Sequence, residues 1–248
     1  MTDTLHGRSA PQAARPRVRL LCLPYAGGGA TAFRSWHDGL GPDVRVEAPE
    51  LPGRESRADE PGYRRMAPLV TWLADTVGAH RDTPTAIYGH SMGALIAFEL
   101  ARELHSREQP PIRLLVSGMR APDLVEPRRP PHSDDEVAAR MAEMGLFSAG
   151  IFDDPEFRAF FMPVLHTDLA LIDGYLFHPG SILDCPVSVW GSATDPVTRG
   201  TDLTRWGAHT RATTRVRLLP GGHDFIHSAR HALLSGVRDD LAPQEGPR

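Results

Sequence analysis

The stretch "TAIYGHSMGALIAFELAR" (residues 85–102) changes period in its middle. Its first five residues are an apolar run of strand length, and from Met92 onward the pattern is that of a helix, apolar through Phe98 before Glu99, Arg102 and Glu103 turn polar. Between the two sits Ser91, flanked by Gly89 and Gly93 in a G-x-S-x-G arrangement. A strand passing through a tight turn into a helix brings backbones together where a Cβ has no room, which accounts for both glycines. The same turn lifts a serine hydroxyl clear of the sheet, beside the free N–H groups and positive dipole end of the helix.

Further runs of the same kind lie along the chain: "VRLLCLP" (18–24), "VRVEAP" (44–49), "IRLLVSG" (112–118), "VSVWG" (187–191) and "VRLLP" (216–220). All are read as buried strands. Amphipathic stretches separate many of them. In "PLVTWLADTVGAH", Leu69, Trp72, Leu73, Thr76 and Val77 fall on one face, with Pro68 suited to the first turn. Strands alternating with helices predict an α/β fold, a mostly parallel sheet covered on both faces. Ligands of such sheets bind beyond the carboxyl ends of the strands, so the residues following each run are the candidates for chemistry.

The alternation lapses between "IRLLVSG" and "VSVWG". Here "SDDE" (133–136) has the form of a capping box, with Ser133 as cap and Glu136 reaching back, followed by an apolar stripe of Val137, Met141 and Met144. Beyond it, "DPEFRAFFMPVLHTDLALIDGYLF" is dense in Phe and Leu and is interrupted by Pro163. We expect a helical lid, about residues 123–182, inserted in one domain spanning 18–240, with disordered ends at 1–17 and 241–248.

Composition narrows the rest. With 248 residues, 41% hydrophobic and 23% charged, the chain can bury a core without disulfides, and Cys22 and Cys185 read as small buried hydrophobes. A net charge of −4 gives no basic face for nucleic acid or an anionic membrane. The N-terminus has no signal-peptide h-region, and no apolar stretch reaches the roughly 18 residues that a membrane span needs. A cytoplasmic protein, a monomer, is the expectation.

A serine needs a base. His223 follows "VRLLP" through "GG" and so belongs to the same rim of strand ends as Ser91. Asp195, in "GSATDP" directly after "VSVWG", is the expected acid, which would hold the His223 tautomer and stabilise the imidazolium. Asp123, after the preceding strand, is the alternative acid. Two backbone donors would complete an oxyanion hole: Met92 N–H, after the serine, and Ala26 N–H, in the glycine-rich "LPYAGGGA". Tyr25, His90, Met141, Phe147 and Phe161 are candidate substrate-binding residues. His223, His227 and His231 are spaced four apart, a zinc-like pattern, but without the glutamate of H-E-x-x-H no metal site is assigned.

Together "LPYAGGGATAFRSW", "APELPGRESR", "YGHSMGALIAFELAR", "VSGMRAP", "DPVT" and "LPGGHDFI" resemble the type II thioesterases of polyketide and nonribosomal peptide pathways, from about residue 18 to 240. The resemblance implies an α/β-hydrolase fold with a helical lid, a triad of Ser91, Asp195 and His223, an oxyanion hole at Ala26 and Met92, and no cofactor. It implies hydrolysis of acyl groups from the phosphopantetheine arm of acyl or peptidyl carrier domains. Those carriers are acidic as a class, and Arg120, Arg128 and Arg129 could dock one. Two departures stand out: Asp224 follows the histidine where the family usually has an aromatic or apolar residue, and the glycine pair expected near Gly145 is missing. A general esterase or acyl-CoA thioesterase, or an acyltransferase, would use the same residues.

Overall fold

The structure, a computed structural model, describes residues 16–77, 83–147, 150–198 and 200–242. Six strands, β1 (Val18–Leu23), β2 (Val44–Glu47), β3 (Thr85–His90), β4 (Arg113–Ser117), β5 (Val187–Ser192) and β6 (Thr214–Leu219), form one sheet in the order β2-β1-β3-β4-β5-β6. Every pairing is parallel. The helices are α1 (Trp36–Leu40), α2 (Met66–Val77), α3 (Met92–Ser106), α4 (Asp134–Glu143), α5 (Pro155–Asp173), α6 (Gly200–Thr204), α7 (Phe225–Ser228) and α8 (Arg230–Leu241).

Alternation along the strands splits the core in two. Leu21, Leu23, Ile87, Leu114, Val116, Val187 and Val189 meet α2 and α3 on one face. Leu20, Cys22, Tyr88, Leu115 and Trp190 meet α1, α7 and α8 on the other. Both cysteines are buried and free, and burial pushes the Cys185 thiol up to about 11. The chain leaves β1 in opposite directions to reach β2 and β3, so the sheet has its switch point at the carboxyl ends of β1 and β3, where α/β sheets open a crevice.

Several expectations are corrected. β6 is an edge strand, with Val216 36% and Leu218 58% exposed, so its apolar run does not mark a buried position. On α2 the buried stripe is Leu69, Val70, Leu73, Ala74 and Val77, whereas Thr76 faces out and returns its hydroxyl to Trp72 O at 2.8 Å. Pro163 does not interrupt α5, which runs 19 residues and starts on an Asp154 cap that accepts Glu156 and Phe157 N–H. One missing N–H is tolerated where an apolar face holds the helix down. The capping box is half formed: Ser133 Oγ accepts Glu136 N–H at 3.2 Å, but Glu136 reaches one residue further back, to His132 N–H at 2.7 Å.

Of the ends expected to be disordered, 1–15 and 243–248 lie outside the described residues. Arg17 N–H is bonded to Asp43 O at 2.8 Å, and Leu241 closes α8 in the second core, so order extends slightly further at each side. The segment between β4 and β5 forms a third core of its own, Val137, Met141, Phe152, Met162, Leu165 and Leu169, from α4, α5 and the turn between them. Among the described residues, no helix is long and apolar enough to cross a membrane.

Candidate active site

Four loops at the carboxyl ends of β1, β3, β5 and β6 converge. Ser91 follows β3 directly with φ 55 and ψ −118, a conformation that costs a non-glycine residue on the order of 1–3 kcal/mol. The turn is held by Ser91 N–H to Ser117 O at 2.8 Å and by the closeness of its glycines. A Cβ on Gly89 would overlap the Gly93 carbonyl, and one on Gly93 would overlap Leu23 O. Ser91 sits at the cap position of α3, yet its hydroxyl makes no cap bond. It turns instead to His223 Nε2, at 2.9 Å.

His223 Nδ1 lies 3.0 Å from both carboxylate oxygens of Asp195. The Asp195 oxygens are held in turn by Val197 N–H at 2.8 Å and Thr198 Oγ1 at 3.1 Å. All three residues are buried, His223 to 1% exposure. A carboxylate can only accept, so it keeps the proton on Nδ1 and leaves the Nε2 lone pair facing the serine hydroxyl. The arrangement can draw a proton from Ser91 and stabilise the cation formed. Asp123, the alternative acid, is elsewhere: it accepts from Arg205 Nε at 2.7 Å and His209 Nε2 at 2.8 Å.

The β1 loop approaches from the other side. Tyr25 O accepts Gly28 N–H at 2.9 Å, closing a turn with Gly27 at φ +78. Among the described residues, neither Ala26 N–H nor Met92 N–H has an intramolecular acceptor. The loop is held by groups that the sequence reading missed. Gly27 N–H donates to Asp168 Oδ2 at 2.8 Å, and Arg54 donates to Gly28 O at 2.8 Å. Arg54 and Asp168 form a two-bonded ion pair at 2.9 and 2.6 Å. The Glu55 carboxylate accepts Ala30 and Thr31 N–H. The "LPGRE" motif contains Arg54, but its partner stands 114 residues away on α5, beyond the reach of a local pattern.

Residues 18–241 match the family described as the thioesterase domain. The chain belongs to that family. It is similar to thioesterase PikA5 of Streptomyces venezuelae, with 33% identity over 96% of this chain and 84% of the relative. Gramicidin S biosynthesis protein GrsT of Aneurinibacillus migulanus is 29% identical over 88% of this chain and 86% of its own. Among solved structures, the RedJ thioesterase from the prodiginine biosynthetic pathway in Streptomyces coelicolor superposes with a TM-score of 0.86 at 36% identity, covering 97% of this chain and 91% of that one. The fold is that of the α/β-hydrolases, and the chain is a hydrolase of thioesters.

In this thioesterase a cavity of about 190 Å³ opens beside Ser91. Its apolar lining comes from Met119, Val125, Met144, Ile172 and Val197, and its charged lining includes Arg120, Arg128, Glu143 and the Arg140–Asp173 pair, 2.5 Å apart. Arg120 is anchored to Val197 O at 2.9 Å, and Arg129 is exposed.

None of the five expected substrate-binding residues is among the lining residues. Met141 points into the third core, one helical turn from the place Met144 takes in the cavity. Phe147 and Phe161 belong to an aromatic cluster with Phe152 and Phe157, and Phe147 reaches the loop at Gly27. The Tyr25 hydroxyl and His227 Nε2 are hydrogen-bonded at 2.8 Å, and burial holds that imidazole below its ordinary value, which favours its neutral form.

His90 lies behind the site, fully buried between Ser117 Oγ at 2.8 Å and His223 O at 3.0 Å. Burial, then the nearby His223, holds it well below the ordinary histidine range. It is therefore neutral, with its Nε2–H donating to the His223 carbonyl. The zinc-like spacing dissolves for a similar reason: His223 faces Asp195 and Ser91, His227 faces Tyr25, and His231 belongs to a different helix from His227. Among the described residues, no group of three or more ligand-type side chains could hold a metal ion.

Proposed function

We propose that this protein is a type II, editing thioesterase that removes acyl groups from the phosphopantetheine arm of carrier domains in polyketide or nonribosomal peptide synthesis. The observation that carries the mechanism is the buried line Ser91 Oγ to His223 Nε2 to Asp195, at 2.9 and 3.0 Å. Ser91 Oγ attacks the thioester carbonyl carbon while His223 Nε2 takes its proton, and Ala26 and Met92 N–H bind the oxyanion. Collapse of the tetrahedral adduct breaks the C–S bond, and His223 returns the proton to the leaving sulfur. Water, deprotonated by His223, then attacks the acyl-serine, releasing the carboxylic acid and regenerating Ser91.

The cavity of about 190 Å³ is slightly larger than the ~150 Å³ apolar cavities that hold a benzene ring, so it suits an acyl group of a few carbons. Its charged lining suits the amides of a pantetheine arm better than a second alkyl chain. The homologous pathway thioesterases support the carrier-bound substrate, and we take the enzyme to act on one as a monomer.

The test compares acetyl thioesters on a phosphopantetheinylated carrier protein and on CoA with a simple acetyl ester, using wild type and Ser91→Ala. Carrier-bound acetyl should give the highest kcat/KM, and Ser91→Ala should abolish all three activities. Equal or faster turnover of the simple ester would overturn the carrier assignment, and activity retained by Ser91→Ala would overturn the mechanism.

A further inference from the structure

The loop carrying Ala26 is fixed by a part of the molecule with no sequence relation to it. The Tyr25–Ala26 peptide has its carbonyl tied to Gly28 N–H at 2.9 Å, so its N–H points to the opposite side. The next peptide has its N–H tied to Asp168 Oδ2 at 2.8 Å, and the Gly28 carbonyl is tied to Arg54 Nη1 at 2.8 Å. Arg54 and Asp168 are 7% and 3% exposed and meet through two parallel bonds. Leu165, one turn before Asp168, lies where a Cβ on Gly27 would come within 2.8 Å of its Cδ2. The loop is thus pinned on two polar sides and one apolar side, with Ala26 N–H left open.

We propose that Arg54 and Asp168 are positioning residues that set the Ala26 donor, which makes α5 of the inserted segment part of the oxyanion-binding apparatus. The inference rests on the mechanism proposed above. A buried ion pair is a poor device for stability alone, because desolvating both charges offsets much of their attraction. It is a good device for geometry: the planar guanidinium and carboxylate meet in one orientation, and each has a further bond to the loop. An error of about 1 Å in such a donor can cost on the order of 100-fold in rate.

The experiment uses the full-length protein, an acetyl thioester of N-acetylcysteamine as substrate, and a small alkyl boronic acid, which forms a tetrahedral adduct on a reactive serine. Asp168→Asn removes the charge that orients Arg54, and Arg54→Met removes the guanidinium. Either should lower kcat about 10- to 100-fold, with KM within about threefold, and weaken boronate binding in proportion to the loss in kcat/KM. Thermal melting identifies the variant that stays folded, and one folded variant suffices. A purely structural pair would leave the boronate affinity of the folded fraction unchanged. That result, or kcat within twofold of wild type, overturns the proposal while the mechanism stands. A wild type that neither hydrolyses the thioester nor binds the boronate overturns both.

Discussion

The strand-end rim and the inserted segment above it are built on opposite plans. At the rim, Ser91, Asp195 and His223 each follow a strand within a few residues, and the sheet alone brings them within hydrogen-bonding distance. The insertion has its own small core, joins the first core of the sheet through Leu171 and Tyr175, and meets the rim through individual groups: Asp168 on Gly27 N–H and Arg54, Leu165 and Phe147 beside Gly27, and Met144 and Ile172 at the cavity. A parallel sheet fixes the positions of its loops to within its 4.8 Å strand spacing, roughly. A helical pair on a loop has no such lattice and must be tied down by individual contacts. The difference places Ser91, Asp195 and His223 on loops of the sheet, and leaves the setting of the β1 loop beside them to contacts from the insertion.

The comparison can be broken most sharply at the rim. Asp195→Asn should keep the fold and lower kcat by about 10⁴, because Nδ1 loses the acceptor that selects its tautomer. Steady-state hydrolysis of a carrier-bound acetyl group reads the loss directly. Activity within tenfold of wild type would show that the Asp195 contact is not needed.

A second test sets one leucine against another. Leu95, in α3, and Leu169, in α5, are both fully buried. Leu95→Ala should lower global stability by about 2–5 kcal/mol in urea unfolding. Leu169→Ala should shift the global midpoint less and speed proteolytic cleavage within 123–182, since its cavity opens in the local core. Equal shifts for both would show that the insertion unfolds with the sheet.

The smallest effect belongs to the joint between the two regions. Burial would raise the Asp123 carboxyl, but hydrogen bonds from His209 and Arg205 outweigh it and hold the group below its ordinary range. Its contribution to stability is therefore fully present above the unfolded aspartate value of about 3.9 and is lost as pH falls through the lower folded value. Asp123→Asn should be less stable than wild type at pH 7, with the gap closing in acid below about pH 4, and should keep its turnover. Urea titrations at several pH values check the first part. Loss of turnover as large as that of Asp195→Asn would return Asp123 to consideration as the acid.

Legibility followed the same division. The meeting of Ser91, Asp195 and His223 at one rim could be read because a short apolar run announces a strand, and in this architecture the residues after each strand share one rim. The period change at Ser91 gave the strongest local signal. The edge position of β6 was invisible, since Val216 and Leu218 are as apolar as buried residues. The packing of Met141, Phe147 and Phe161 among the insertion's own residues rather than in the cavity beside Ser91 was not legible, because an apolar stripe on an inserted helix does not say which side turns to the cavity and which to its own core. His90 stood next to Ser91 in sequence but behind it in space, since successive residues of a strand and its turn point to opposite sides.

Local order, then, was decided by the sequence itself: where strands stop, where α3 begins, and which serine, acid and histidine lie just past a strand. Those properties depend on side-chain periodicity and steric room within a few residues. Tertiary structure alone decided the partners of Arg54, Tyr25 and His90, the face of α4 that meets the cavity, and which acid faces His223. Each depends on contacts between segments tens of residues or more apart, whose geometry is set when the sheet and the insertion pack together.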